Sequence, residues 1–136
     1  MRGKIVAIVL ALVAGAARAD TIGLHLGSYH PQHPADRPRY NDLNLGAYYR
    51  ADDGWQVGAY FNSIRRPSVY AGWTWSHDVG AVSVGLLAGL VTGYRAGPIL
   101  PFAAPSVAVG AWRLSFVPAT RFGASVFHLS YEWSAR

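Results

Sequence analysis

Residues 55–62 read Trp55-Gln56-Val57-Gly58-Ala59-Tyr60-Phe61-Asn62, a strict alternation of apolar with small or polar side chains. Successive side chains of a β-strand point to opposite faces, so Trp55, Val57, Ala59 and Phe61 share one face and Gln56, Gly58, Tyr60 and Asn62 the other. The chain closes on the same pattern, with Phe127, Leu129, Tyr131 and Trp133 alternating with His128, Ser130 and Glu132. Eight such segments are read: Thr21–Tyr29, Asp42–Arg50, Trp55–Asn62, Val69–Ser76, Val82–Gly93, Ala103–Gly110, Trp112–Pro118 and Ala124–Trp133. Short alternating segments rich in aromatics and glycine predict an all-β fold, an eight-stranded antiparallel transmembrane β-barrel. In hydrocarbon every backbone N–H and C=O must find a partner within the protein, and a closed barrel supplies one for each.

The connections alternate in length. Ala51–Gly54, His77–Ala81 and Gly110-Ala111 are short, whereas His30–Asn41, Ser63–Ser68, Tyr94–Pro98 and Ala119–Gly123 carry the prolines and bulky residues. Outer-membrane barrels keep short turns in the periplasm and longer loops outside, and an even strand number returns both termini to the periplasm. The expected location is therefore a bacterial outer membrane.

Residues 1–19 read as a secretory leader: Arg2 and Lys4 are a basic start, Ile5 to Ala14 a short apolar run, and Ala17-Arg18-Ala19 a small-residue cleavage site. The run is too short for a transmembrane helix. Residues 20–136 form the expected barrel domain. Without the leader the formal charge falls from +5 to +2 and no lysine remains. Cysteine is absent, which removes disulfides and thiolate metal sites. No phosphate loop, zinc spacing or calcium loop is present, His30 and His33 lack a third ligand at useful spacing, and the arginines form no nucleic-acid stripe. Neither a cofactor, a metal nor a nucleic-acid partner is expected, and the barrel is expected to be a monomer.

Two features bear on function. Inward positions are small, at Gly23, Gly27, Gly46, Gly58, Gly72, Gly85, Gly89 and Gly93. An eight-stranded barrel is just wide enough to be filled by side chains or to hold one small ligand. The glycines either relieve curvature strain or leave a narrow cavity fit for an acyl chain. Six of the nine mature arginines, Arg37, Arg39, Arg65, Arg66, Arg95 and Arg121, fall in the expected outer loops. Guanidinium forks suit phosphate, and the outer leaflet carries phosphate-bearing lipopolysaccharide, a contact that any outer-membrane barrel gains from.

Three stretches resemble the lipid A palmitoyltransferase family of outer-membrane barrels. They are Ile22-Gly23-Leu24-His25; Asn62-Ser63 followed by Tyr70-Ala71-Gly72-Trp73; and Gly85 to Pro118, with Ala88-Gly89-Leu90-Val91-Thr92, Pro98-Ile99-Leu100-Pro101 and Phe116-Val117-Pro118. The resemblance implies a barrel that is itself an enzyme, taking an acyl chain from a glycerophospholipid and placing it on lipid A, with the chain held inside the barrel. It implies catalytic roles for His25 and Ser63, with Asn62 standing where the family has aspartate. It further implies an acyl pocket at Gly58, Gly72, Thr74 and Gly89, with Thr74 near the glycine of the family's pocket floor. The loop arginines are then the acceptor's phosphate contacts, and the partners are phospholipid and lipopolysaccharide.

The chemistry is sensible for these residue types. A hydroxyl serves acyl transfer when an imidazole accepts its proton. An Asn62 amide can donate to an oxyanion but cannot stabilise an imidazolium as a carboxylate does; in a serine-protease triad the Asp→Asn change costs roughly 10⁴ in turnover. His25 can equally be a plain inward polar residue, and His30 or His33 lies nearer the height of Ser63. His128, Ser130 and Glu132 share one inward face and faintly resemble the lipid A 3-O-deacylase barrels, whose His and Ser are also two apart. A lumen hydrogen-bond network is the simpler expectation for them. The function expected is acyl transfer to lipid A, with a non-catalytic lipid-binding or structural barrel as the rival and a deacylase third.

Overall fold

Period-two segments broken by glycine and proline become strands, and the computed structural model, which describes residues 21–31, 40–119 and 125–134, contains eight and no helix. They are β1 (Thr21–Tyr29), β2 (Leu43–Arg50), β3 (Trp55–Phe61), β4 (Pro67–Val79), β5 (Val82–Tyr94), β6 (Gly97–Val109), β7 (Trp112–Val117) and β8 (Val126–Ser134). Each pairs antiparallel with the next, and β1 closes on β8 from Thr21↔Ser134 to Tyr29↔Phe127. The leader and the positions Arg37, Arg39 and Arg121 lie outside the described residues.

Two expectations about boundaries are corrected. β4 runs two residues earlier and three later than read, and β6 begins at Gly97, not Ala103. The 95–96 connection is therefore a tight turn rather than a long loop. Pro98 and Pro101 precede the strand expected from Ala103, and Pro105 lies within it. A strand tolerates proline on an edge that needs no donor, and β6 has such an edge: its ladder with β7 holds four pairs, Ser106↔Ser115 to Val109↔Trp112. Among the described residues, Gly97 to Pro105 pair with β5 alone.

A third correction concerns β1. Its register shifts between His25 and Gly27, and beyond the shift Ser28 pairs with His128 while Gly27 pairs with outward Leu129. The extra residue of a bulge reverses which side chains face in. Gly27 is thus not an inward position; Ser28 is.

The interior is built in rows across neighbouring strands. Gly23, Tyr48, Gly58 and Tyr70 are successive partners across β1 to β4, and one register step up so are His25, Gly46, Tyr60 and Ser68. Large and small residues alternate, which lets rings fold over the adjacent glycine in a narrow barrel. A Cβ on Gly23 would collide with the Tyr48 ring, and one on Gly58 with the Tyr70 ring. Tyr48 and Tyr70 pack on Val91 and Leu100, with Tyr60, Leu87, Tyr94 and Phe102 against them.

The outer face is the opposite. Leu24, Leu45, Trp55, Val69, Leu86, Leu90, Val107, Leu114, Leu129 and Trp133 all point outward and exposed. Aromatic pairs Trp55–Trp73, Trp112–Tyr131 and Tyr131–Trp133 stand on this face at the end that carries the chain termini and the 51–54 and 110–111 turns.

Candidate functional site

His25 sits at the middle of the lumen, buried and ringed by Tyr48, Tyr60 and Tyr70 with centroids 4.9, 5.3 and 5.6 Å away. Its Nδ1 lies 2.7 Å from His128 Nε2 and its Nε2 lies 3.0 Å from the Tyr70 hydroxyl. The donors can be assigned from neighbours. Gln56 Nε2 can only donate, so the Tyr70 oxygen accepts from it at 3.0 Å and gives its own proton to His25 Nε2. His25 then carries its proton on Nδ1 and donates to His128. Thr74 continues the chain by donating to Gln56 Oε1 at 3.0 Å. Both ring nitrogens of His25 are thus engaged inside the barrel, and Ser63 is not among their partners.

The inward face of β8 joins a second network. Glu132 accepts from Arg50 Nη1 at 2.9 Å, from Arg113 Nε at 2.7 Å and from the Tyr48 hydroxyl. Arg113 also donates to Ser106 Oγ at 2.7 Å, and Tyr48 lies 3.3 Å from Ser130 Oγ. Ser130 and Glu132 meet through the Tyr48 hydroxyl, whereas His128 belongs to the network around His25. Two guanidinium groups converge on one carboxylate, so a buried charge meets full compensation on every side.

The expected acyl pocket is not an open tube. Tyr70 occupies the space beside Gly58. Gly72 and Gly89 pair across β4 and β5, and a Cβ on either would strike the facing backbone, so these two exist for close strand approach. Thr74 is hydrogen-bonded and buried. The glycines were visible in the sequence, but which ring covers each follows from register alone. A cleft of about 480 Å³ does open at the chain-terminus end, but Arg50, Asp52, Asp53, Asp78 and Arg113 line it and make it polar.

At the opposite end, Asn62 is fully buried and organises the 62–66 turn. Its Nδ2 donates to Ser68 Oγ and to the Gly93 carbonyl, both at 2.9 Å, and its Oδ1 accepts from the backbone N–H of Ile64 and of Arg66, both at 3.0 Å. The amide is saturated by the loop. Ser63 follows it, partly exposed, and its carbonyl accepts from Asn41 N at 2.8 Å. Arg65, with φ 60°, Arg66 and Arg95 are exposed at this same end.

An imidazole–carboxylate pair that spacing did not reveal lies on this rim. His30 is buried, its Nδ1 lies 3.5 Å from Asp42 Oδ1, and its ring stacks on Tyr40 at 4.3 Å. His30 was legible as a histidine near the height of Ser63; Asp42 was legible only as a strand-edge acid. Among the described residues no group of three or more His, Cys, Asp or Glu side chains is placed to hold a metal.

Comparison with protein-family models and with curated proteins finds no match. The class defined by the fold is a closed eight-stranded antiparallel β-barrel whose interior holds a tyrosine-rich apolar cluster beside hydrogen-bonded polar and charged groups, and whose exterior is apolar.

Proposed function

We propose that this chain spans the outer membrane of a Gram-negative bacterium and works at its outer rim as an acyltransferase, moving a fatty acyl chain from a glycerophospholipid to lipid A or a similar outer-leaflet acceptor. The observation that carries the reading is the inversion of the barrel: charged and hydrogen-bonded groups inside, large apolar side chains around the whole outside. Monomeric soluble proteins rarely expose a continuous apolar belt, and a barrel in lipid requires one. The working end is the one bearing Ser63, Arg65, Arg66 and Arg95, whose guanidinium groups suit lipid phosphates. Because tyrosine rings fill the lumen, the donor chain stays in the bilayer against the outer wall, beside the sparsely paired β6–β7 seam, and only its ester reaches the rim.

A non-catalytic lipid-binding or structural barrel is the second reading, favoured by that filled interior and by Asn62, whose amide is taken up by its turn. Mass spectrometry of lipid A from a host lacking such an acyltransferase separates the two. Expression of the chain is expected to add one acyl chain, and Ser63→Ala to abolish the gain. Unchanged lipid A from a folded barrel selects the non-catalytic reading, and loss of a chain selects a deacylase.

A further inference from the structure

We propose that the cleft at the chain-terminus end binds a small basic zwitterion, a molecule carrying one carboxylate and two ammonium groups. The site lies at the end opposite Ser63 and is independent of acyl transfer. It exists because β4 outruns its neighbour. The β3–β4 ladder ends at Trp55↔Trp73, and one further bond joins Thr74 N to the Gly54 carbonyl at 2.8 Å. From Trp75 to Val79, β4 pairs with β5 alone among the described residues. Ser76 and Asp78, inward by alternation, are consequently exposed, and the barrel mouth opens on that side into the cleft of about 480 Å³. That size lies within the roughly 300–1,000 Å³ usual for small-molecule sites.

Charge is sorted within this cleft. Toward its floor, Arg50 and Arg113 are largely buried, with 15% and 9% of their side chains exposed, and they share the single carboxylate of Glu132. One positive charge is left over. A guanidinium carries more N–H hydrogens than the bonds to Glu132, Ser106 and Thr21 use, and both arginines line the cleft. The rim is the reverse. The 51–54 turn, closed by Ala51 N on the Trp55 carbonyl at 2.8 Å and by Gly54 at φ 106°, places Asp52 and Asp53 there, and Asp78 lines the same cleft from β4. Among the described residues, none of these three carboxylates has a cation within ion-pairing distance. Asp78, Ser83, Ala108 and Arg113 are successive partners across β4 to β7, so rim acid and floor guanidinium stand in one inward row. An adjoining cavity of about 300 Å³ is lined by Asp78, Ser83, Arg113 and Glu132.

Opposite charges held apart in one cleft select a ligand that joins them. A simple anion on its way to the arginines would pass three carboxylates. A simple cation at the rim would leave the excess charge of the floor unmet. Four carboxylates against two guanidinium groups also leave the cleft short of positive charge. One carboxylate with two ammonium groups matches both ends and reduces that shortfall. The ligand carboxylate accepts from the remaining N–H hydrogens of Arg50 and Arg113, whose planar forks suit it. Its ammonium groups donate to Asp78 and to the acids of the 51–54 turn. Such fields are focused in a cleft with low-dielectric walls, so the sorting counts for more here than on an open surface.

Lysine carries these three groups, and two relatives each lack one kind: cadaverine has no carboxylate and norleucine no side-chain ammonium. The full-length protein, isotope-labelled and folded in micelles of an uncharged detergent, is titrated with each at low, matched ionic strength, and its amide shifts are read by NMR. Lysine is expected to give saturable shifts at Arg50, Asp52, Asp53, Asp78 and Arg113, and none at Arg65, Arg66 and Arg95. Cadaverine and norleucine are each expected to bind at least about tenfold more weakly, the scale of one hydrogen bond to a charged group. Cadaverine thus tests the floor without disturbing its buried arginines. The triple variant Asp52→Asn/Asp53→Asn/Asp78→Asn changes only exposed side chains and is expected to weaken lysine at least about tenfold, its folding being read from the same spectra. Absence of saturable shifts with lysine at tens of millimolar overturns the proposal. So does cadaverine or norleucine binding as tightly as lysine, or undiminished lysine binding in the folded triple variant.

Discussion

Asn62 shows how a residue that looks like a defective catalytic acid can be the correct residue for its place. Its Nδ2 has two hydrogens, and they meet the Gly93 carbonyl and Ser68 Oγ. A carboxylate would set an acceptor against that carbonyl and leave it without a donor. Asn62→Asp is therefore expected to destabilise the barrel by about 1–3 kcal/mol, the cost of leaving a buried polar group unmet. Urea unfolding in detergent or vesicles measures it, and an unchanged midpoint removes the argument. Gly93 is constrained at the same spot, since it adopts φ 90° and a Cβ there would strike the Pro67 carbonyl. His25 was legible as an inward residue of β1, but its partners were not: His128 lies over a hundred positions later and only barrel closure brings the two together.

At the scale of strands, alternation marked the start of seven of the eight to within a residue or two, because side-chain period is a local property. It failed where proline and a bulge interrupt that period. Proline reads as a breaker, yet β6 carries three of them where it lacks a β7 partner. The bulge in β1 inserts one residue without a distinctive signal and reverses everything above it. Register also decides the core, since Gly23 and Gly58 are each covered by a tyrosine of the next strand. Gly58→Ala is expected to cost about 1–3 kcal/mol through overpacking against Tyr70. In the double variant Gly58→Ala/Tyr70→Leu the two losses are expected to fall short of additive by about 0.5–3 kcal/mol, the range for side chains in contact. Simple additivity in the unfolding midpoints would mean that the ring does not fill that space.

For the molecule as a whole, the apolar exterior gives the most direct test of the environment. Leu90 stands 54% exposed on β5, in a row with Val57 and Ala71 between the aromatic belt and the rim. In lipid, Leu90→Arg is expected to destabilise by about 2–4 kcal/mol, as for a cation placed near the mid-plane on a lipid-facing strand. Ala81→Arg, in an exposed turn, is expected to change the midpoint little. Equal and small effects in vesicles would contradict a lipid-facing wall.

The amino-acid order alone determined the all-β class, the number of strands and, away from the bulge in β1, which side chains share a face, since these follow from a two-residue period and from turn-forming glycines. It placed Arg65, Arg66 and Arg95 together at one end by strand parity. Only the tertiary structure decided that Gly23 and Gly58 are covered by tyrosines, that His25 joins His128 and Tyr70, and that Asp42 lies 3.5 Å from His30. The physical reason is that register and closure set contacts between residues far apart in the chain, and a single bulged residue, invisible in composition, reverses which side chains face inward beyond His25.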